Sequence, residues 1–327
     1  MRRLGVVAAA IGFGGAACTA EAADRLLFAR PAPWVVPVAL PANGAKSDAA
    51  AVKLLLDEQV DLQPGVQTRY SETAFRIQTP QGLGAGAVNF AWNPDHQTVT
   101  VHKLLIRRGA QVIDVLAGGQ QFTVVRRESN LENAVLDGEL IATIQPEGVQ
   151  VGDVIDFTVS VADRDPALAR HIEQIVGTWN GLPIERAHVH VQWPSGIAMH
   201  LRASGGLVLP KQQRRGGLSS IEISQDDVQP LNLPKGAPQR FQYGRLIELS
   251  DFASWSETAG LLAPLFAKAA VVSADDPLNA EITRILSASS DPVGRATAAL
   301  ALVQDRVRYV ALLLNNGGLV PAAAGTT

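Results

Sequence analysis

The feature that most constrains the fold of this chain is a period-two alternation of side chains. Residues 68–78 carry β-branched and aromatic side chains at alternate positions, and residues 99–104 alternate more cleanly. Because successive side chains of a β-strand point to opposite faces, this period is typical of strands that bury one face. It predicts further strands at 87–90, 111–115, 122–125, 140–144, 154–161, 187–193, 198–203 and 219–224. Short strands separated by turns predict a mainly β domain, an antiparallel β-sandwich.

After residue 250 the period changes to three and four, which predicts helices. Ser254 and Glu257 form a capping box at the start of the first helix. An Asp before a Pro, at 276–277 and again at 291–292, supplies the cap and first residue of a second and a third helix. The apolar faces are expected to hold Trp255, Ala259, Leu262 and Phe266, then Leu278, Ile282, Ile285 and Leu286, then Ala299, Leu300, Val303, Val307 and Val310.

These two patterns divide the chain into a β part and a helical part. We expect a boundary between residues 241 and 251, with a β-sandwich domain over residues 24–245 and a short α-helical segment over residues 251–327. The 327 residues are 47% hydrophobic and 18% charged, which is enough apolar material for real cores. The formal net charge of -3 supplies no basic surface, so we expect no nucleic acid among the partners.

Four prolines, at positions 31, 33, 37 and 41, precede the alternating region. Proline lacks a backbone N–H and restricts the residue before it to extended conformations. We therefore expect residues 30–37 to run extended along an edge of the sheet, anchored by Trp34.

The first 22 residues are typical of a secretory signal peptide. Arg2 and Arg3 form the charged region, residues 4–13 form a short apolar run, and Ala20 and Ala22 are the small residues before a cleavage site. We expect cleavage after Ala22 and a periplasmic or secreted protein. The apolar run is far shorter than the roughly 20 residues that span a bilayer, so no transmembrane segment is expected in the mature chain.

Cys18 offers an alternative, because a lipid on this cysteine would anchor the chain as a lipoprotein. A lipobox has Leu or a similar residue three positions before its cysteine, and Gly15 stands there instead. Export with cleavage after Ala22 is therefore the preferred prediction. Cys18 is also the only cysteine of the sequence, which excludes a disulfide framework.

The end of the sequence carries a motif with chemical meaning. It consists of Val307-Arg308-Tyr309-Val310, Gly317-Gly318 and Val320-Pro321, in that order. This order resembles the lead-in to the nucleophilic cysteine of bacterial transglutaminase-like domains. In that family the cysteine acts with a histidine and an aspartate, attacks an amide carbonyl and forms an acyl-enzyme. The sequence ends before such a cysteine, so the resemblance implies an incomplete transglutaminase-like domain.

A second resemblance concerns the β part. It is carried by Asn130-Leu131-Glu132, Leu136-Asp137-Gly138, Val151-Gly152-Asp153-Val154-Ile155 and Leu249-Ser250-Asp251-Phe252-Ala253-Ser254-Trp255. These phrases resemble a β-rich domain of unknown function that precedes transglutaminase-like domains in exported bacterial proteins. The last phrase bridges the two domains in that family.

Histidines are the candidate ligands of the β part. His188 and His190 are two apart in a predicted strand and share one face, a spacing that can hold zinc. His200 on the next strand, with Glu185, is the candidate for completing such a site. The alternative is a solvated polar face with Val189 and its alternate neighbours turned inward, and it is preferred because no other ligand is indicated. We therefore assign no catalytic, cofactor-binding or metal residue and expect no cofactor.

Three functions are compatible with these patterns. The preferred one is a non-catalytic β domain with the first helices of an exported transglutaminase-like protein of the cysteine transamidase or peptidase class, inactive as this chain. The second is a fragment of an active enzyme of that class. The third is an exported binding module with a metal site at His188, His190 and His200. A protein or peptide in the cell envelope is the expected partner.

Overall fold

The computed structural model describes residues 24–41, 49–126, 135–136, 138–231, 236, 238, 244–306, 311–312 and 320–321. Its β-strands are β1 (Leu27–Phe28), β2 (Ala51–Gln63), β3 (Val66–Ile77), β4 (Val88–Trp92), β5 (Gln97–Arg108), β6 (Gln111–Asp114), β7 (Thr123–Arg126), β8 (Val135–Leu136), β9 (Leu140–Ile144), β10 (Val154–Asp163), β11 (Glu173–Val176), β12 (Ile184–Pro194), β13 (His200–Ser204), β14 (Gln213–Arg215), β15 (Leu218–Val228), β16 (Leu246–Ser250) and β17 (Ala311–Leu312). Its α-helices are α1 (Trp255–Ala269), α2 (Leu278–Ala288) and α3 (Pro292–Arg306). The predicted signal peptide with Cys18, and the motifs at 130–132, 307–310 and 317–318, lie outside the described residues.

In the described part of the chain, nine strands form one large sheet, in the order β1-β5-β10-β3-β2-β12-β15-β14 with β6 beside β5. Two small three-stranded sheets, β4-β9-β7 and β11-β16-β13, are antiparallel. Strands β8 and β17 form a separate parallel pair. The prediction of a mainly β fold with antiparallel sheets and C-terminal helices is confirmed. Two pairs of the large sheet depart from it, because β1 runs parallel to β5 and β2 runs parallel to β12. Alternation in a sequence specifies faces, not strand direction, so it does not predict these pairs.

Both small sheets cover the same face of the large sheet. Thr73 of β3 lies in register between Phe157 of β10 and Leu56 of β2, so the three side chains share a face. Phe157 packs in the clusters under β4-β9-β7, and Leu56 packs in the cluster under β11-β16-β13. Apolar burial on this face is the main source of stability, since each fully buried large side chain contributes about 1.5–3 kcal/mol.

Strand β2 is the largest element that the alternation does not predict. Its sequence begins with an apolar run, Val52 to Leu56 apart from Lys53, and the register to β3 shifts between Lys53 and Leu55. Such a bulge inserts a residue, so the period-two pattern is broken at that point. Beyond it the strand carries charged residues that are themselves buried, which conceals the usual pattern of one apolar and one polar face.

Helices α1 and α3 begin where the caps predicted them, and α2 begins one residue later, at Leu278, with Pro277 in the N-cap position. Ser254 accepts the Glu257 N–H at 3.2 Å, Asp276 accepts the Leu278 N–H at 2.9 Å, and Asp291 accepts the Gly294 N–H at 2.7 Å. None of the described helices is long and apolar enough to cross a bilayer.

The predicted apolar faces of these helices remain largely open. Trp255 is 88% exposed, Phe266 59% and Val303 53%, and in α2 only Ile285 is buried, at 8%. Helices α2 and α3 pack on each other. The expectation that Ile282 and Leu286 lie on a buried side is therefore wrong for the described residues, because no other described element covers them sufficiently: they are 37% and 51% exposed.

Candidate functional site

The face of the large sheet opposite the small sheets carries buried polar side chains. In β12, Val189 points into the core, so His188 points to the opposite face. In β2, Val60 points into the core, so Asp57 and Gln59 point away from it. The parallel pairing places His188 beside Asp57, so the polar residues of both strands share one face. We call this side of β5, β10, β3, β2, β12 and β15 the polar face.

His188 lies between two carboxylates on this face and is 3% exposed. Its Nδ1 is 2.7 Å from Asp57 Oδ1, and its Nε2 is 3.1 Å from Glu222 Oε1. Gln59 donates an Nε2 hydrogen to the other oxygen of Asp57 at 2.8 Å. Burial by itself lowers the pKa of His188, but the hydrogen bonds and charges of Asp57 and Glu222 outweigh it and raise the pKa. The protonated ring therefore holds the two carboxylates together.

A second group of charges lies toward β5. Lys103 Nζ is 2.7 Å from Glu72 Oε1 and 3.1 Å from Asp156 Oδ2, and Arg107 Nη2 is 2.7 Å from the same Asp156 oxygen. Tyr70 donates its hydroxyl hydrogen to Glu72 Oε2 at 2.8 Å. Burial, together with the charge of Asp156, raises the pKa of Glu72 against the opposing hydrogen bond from Lys103. Burial and the neighbouring Glu72 raise the pKa of Tyr70, so the phenol stays a hydrogen-bond donor.

The proline-rich segment crosses this polar face. We call residues 29–41 the strap. The expectation that it runs along a sheet edge is wrong: after β1 at the edge, the chain contacts β5, then β2, then β12 through hydrogen bonds to Ala29, Val36 and Ala39. The side chains on the polar face supply donors and acceptors to this proline-rich backbone. Residues 33–34 form a turn in which the Val35 N–H donates to the Ala32 carbonyl at 3.0 Å, so the expected extended run over residues 30–37 is interrupted there. Trp34 is only partly buried and is not a member of any core cluster of the described residues.

A cavity of about 650 Å³ remains between the strap and the sheet. Its floor includes Tyr70, Glu72, Lys103 and Arg107, and its other wall is the strap from Arg30 to Leu40. The cavity therefore places an acid with a raised pKa, a phenol and two cations at one surface. These groups can hold a polar or charged ligand by hydrogen bonds.

One pair on the polar face has the residue types of a nucleophile and its base. His102 Nε2 is 2.7 Å from Ser160 Oγ, and its Nδ1 is 2.8 Å from the Ala29 carbonyl, which fixes Nδ1 as the donor. Burial lowers the pKa of His102, so the neutral ring accepts the serine hydrogen. Ser160 lies in the middle of β10, between β3 and β5, and the backbone N–H groups around it serve the sheet rather than an oxyanion. The geometry is that of a structural contact.

The predicted histidine cluster is only partly formed. His188 and His190 share a face, as their spacing predicted. His200 is on β13, whose sheet covers the opposite face of β12, so it does not join them. Among the described residues no three His, Cys, Asp or Glu side chains form a group that could hold a metal ion. His188 is also not solvated, because Asp57 and Glu222 occupy both of its nitrogens.

Sequence reasoning missed the carboxylates that organise the polar face. Asp57, Glu72 and Asp156 are all at most 5% exposed. Charged residues inside strands at alternate positions, such as Asp57 and Asp61 around Gln59, are the signal that was present in the sequence. A buried charge needs a partner, and such positions therefore indicate a network.

A second, more apolar groove lies where α1 meets β13 and β16. It has a volume of about 660 Å³ and is lined by Leu201, Leu249, Phe252, Trp255 and Leu262 among others. Two carboxylates, Glu173 and Glu248, also line this groove. Burial, with the charge of Glu248, raises the pKa of Glu173. The groove offers contact area rather than a set of catalytic groups.

Comparison with known proteins assigns the β part to a family. A family model described as a domain of unknown function with a solved structure (DUF3857) matches residues 63–232. That range begins at the end of β2 and includes most strands of the large sheet. No curated protein matches the chain.

Among solved structures, one from Parabacteroides distasonis ATCC 8503, named a "putative protease", matches 83% of this chain with a TM-score of 0.64 and 13% identity. At this identity the similarity concerns the fold. The chain spans about half of that protein, since the match covers 53% of its length. An M1 zinc metallopeptidase from Deinococcus radiodurans matches 61% of this chain and 42% of its own, with 14% identity and a TM-score of 0.31, too low to support an argument.

Proposed function

Because the chain belongs to the DUF3857 family, we propose that its β region is a non-catalytic domain that supports a transglutaminase-like domain in an exported protein. In this proposal, residues 24–250 form the supporting domain and α1, α2 and α3 begin the second domain. The signal peptide at residues 1–22 directs export to the periplasm or beyond. The supported domain belongs to the cysteine transamidase or peptidase class.

The observation that carries the proposal is the open apolar surface of the helices. Trp255, Phe266 and Val303 are each more than half exposed, while the β region buries Trp92, Trp179 and Trp193. Exposed apolar faces of this kind are typical of surfaces that contact another domain or protein. The groove between α1 and the β11-β16-β13 sheet continues this apolar surface to the β region.

The polar face favours a supporting role over a catalytic one. Its acids are each held by a cation or a hydrogen-bond donor: Glu72 by Lys103, and Asp57 by His188. An acyl-enzyme requires a nucleophile with an adjacent base and donors for the oxyanion. The only cysteine of the 327 residues is Cys18, within the predicted signal peptide.

A second candidate is that these residues are part of a longer, active enzyme of the same class. The length of the Parabacteroides distasonis protein favours it, because this chain spans about half of it. The two candidates predict different DNA beyond codon 327. An open frame that encodes a cysteine soon after codon 327 would support the longer enzyme.

The proposal is tested with the purified chain in two assays, amine incorporation into a glutamine-containing protein and labelling by a thiol-reactive activity probe. We expect neither turnover nor activity-dependent labelling, and the same result for Cys18→Ser. The Cys18→Ser variant is the matched control, because it separates chemistry at this thiol from any other. Turnover that persists in Cys18→Ser would show that the chain is catalytic by another nucleophile and would refute the proposal.

A further inference from the structure

The strap is held through its backbone by side chains from three strands. His102 of β5 donates to the Ala29 carbonyl at 2.8 Å, and Arg186 of β12 donates to the Ala39 carbonyl at 3.2 Å. Four strand spacings separate β5 from β12, which is roughly 20 Å. The strap therefore crosses the strands of the sheet, and a side-chain hydrogen bond holds it at each end.

Near the centre of the strap, Gln59 bonds both backbone hydrogen-bonding groups of one residue. The Val36 N–H donates to Gln59 Oε1 at 2.8 Å, and Gln59 Nε2 donates to the Val36 carbonyl at 2.6 Å. A side-chain amide that bonds both groups of one residue imitates a neighbouring β-strand. The Gln59 amide therefore selects an extended backbone at this residue and does not select its side chain. The Val36 side chain is 45% exposed, which agrees with this.

The fit of the strap is incomplete elsewhere. Val38 and Leu40 pack against a small apolar cluster that includes Leu54 and Leu55. The cavity of about 650 Å³, whose wall includes strap residues from Arg30 to Leu40, separates the strap from Tyr70 and the charges around it. This part of the face is therefore not filled by the strap and has room for other groups.

We propose that the polar face beneath the strap is a binding groove for an extended, proline-containing segment of another protein, with the strap as an internal occupant. The donors His102, Gln59 and Arg186 bind backbone atoms, so a segment of another sequence can use them. Prolines suit this groove because they favour extended backbone and carry no N–H that would need a partner. Small apolar residues at the places of Val38 and Leu40 would fill the same apolar cluster.

Competition within the chain sets how such a segment binds. A tethered strap has a millimolar effective concentration at its own groove. Changes that weaken the strap should therefore strengthen binding of a segment added in trans. Changes that damage the groove weaken the strap and the added segment alike, so they should leave binding of the segment unchanged or weaken it. Only a change confined to the strap should tighten it.

The test uses the full chain and a fluorescent synthetic peptide with the sequence of residues 29–41, followed by fluorescence anisotropy. In the chain, Val36→Pro removes the strap's N–H and leaves the groove intact, so we expect roughly fivefold tighter peptide binding than for the wild type. Gln59→Met removes the hydrogen bonds to the strap and to the added peptide alike, so we expect binding no tighter than for the wild type and at least roughly fivefold weaker than for Val36→Pro. Gln63→Met is the matched control on the same strand, since Gln63 bonds Asp61 and not the strap, and it should bind like the wild type.

Several results would overturn the proposal. One is the absence of saturable binding to Val36→Pro, and another is a shift of Val36→Pro and Gln59→Met in the same direction. If Gln59→Met does not fold, the peptide carrying Val36→Pro replaces it, and binding to the Val36→Pro chain as tight as that of the unmodified peptide would count against the groove. A concentration-dependent dimer of Val36→Pro that excludes the peptide would assign the groove to the strap of a second copy instead.

Discussion

Tryptophans of the β region and of the helices differ sharply in burial. In the β region Trp92, Trp179 and Trp193 are 1%, 1% and 0% exposed, whereas Trp255 at the start of α1 is 88% exposed. Both regions show clear apolar periodicity in the sequence, and both form the elements that this periodicity predicts. Periodicity thus specifies which side chains share a face, and not whether another element covers that face. This difference agrees with the proposal that the β region is a finished core and that the helices form one side of an interface.

The largest expected effect tests the finished core. Trp193 is fully buried between β12 and the β11-β16-β13 sheet, so Trp193→Ala should lower the free energy of unfolding by about 3–5 kcal/mol. Trp255→Ala is the matched control, and it should change the same quantity by less than about 0.5 kcal/mol. Urea unfolding followed by circular dichroism measures both. Similar losses for the two variants would mean that α1 is part of the same core, and the comparison would fail.

Buried charge extends the comparison to polar groups, because the β region encloses some of its charges as completely as its tryptophans. Removing one partner of a buried ion pair costs about 3–5 kcal/mol. We expect His188→Gln to lower the free energy of unfolding at pH 6 by an amount near the lower end of that range, because the glutamine side chain keeps a hydrogen-bond donor.

The sign of the pH dependence follows from the raised pKa of His188, which burial opposes and which Asp57 and Glu222 cause. Its stabilisation is complete below the unfolded pKa, near 6.5, and is lost as the pH rises through the folded pKa. The stability difference between the wild type and His188→Gln should therefore shrink from pH 6 to pH 9. His190→Gln is the control of opposite sign, since burial lowers the pKa of His190 and its cost appears as the pH falls. Parallel pH profiles for the two variants would contradict the assigned network.

Whether a contact of the fold or of the candidate site could be predicted depends on how far apart its two residues are in the sequence. Ser254 and its Glu257 N–H are three residues apart, and the cap was evident from the sequence. His188 and His190 share a face because of strand geometry alone, which the sequence also predicts. The Asp57 partner of His188 lies 131 residues away, and it depends on a parallel pair that no local pattern indicates. Local sequence patterns therefore do not predict long-range pairing of this kind.

The strap shows the same limit from another side. Its four prolines predict an extended segment over residues 30–37. They miss a turn at residues 33–34, where the Val35 N–H donates to the Ala32 carbonyl at 3.0 Å. They do not predict the surface on which it lies, because Gln59 becomes available to Val36 only through the bulge in β2 and the pairing of β2 with its neighbours. We predicted an edge position because prolines in sheets usually lie on edge strands. In the structure the strap lies on the polar face instead, where its backbone bonds side chains rather than a neighbouring strand.

The smallest expected effect is confined to one helix. Ser254 caps α1 by accepting the Glu257 N–H, and Glu257 accepts the Ala253 N–H at 2.7 Å in return. Ser254→Ala should destabilise α1 locally by about 1 kcal/mol, seen as roughly fivefold faster hydrogen exchange of amides in its first turns. The melting of the β region should not change, because α1 contributes no buried residue to it. Ser256→Ala is the control within the same turn, and alanine's higher helix propensity should leave protection equal or slightly higher. If Ser254→Ala also lowered the melting temperature of the β region by several degrees, α1 and the strands would unfold as one unit. The helices would then be part of the finished core despite their exposed faces.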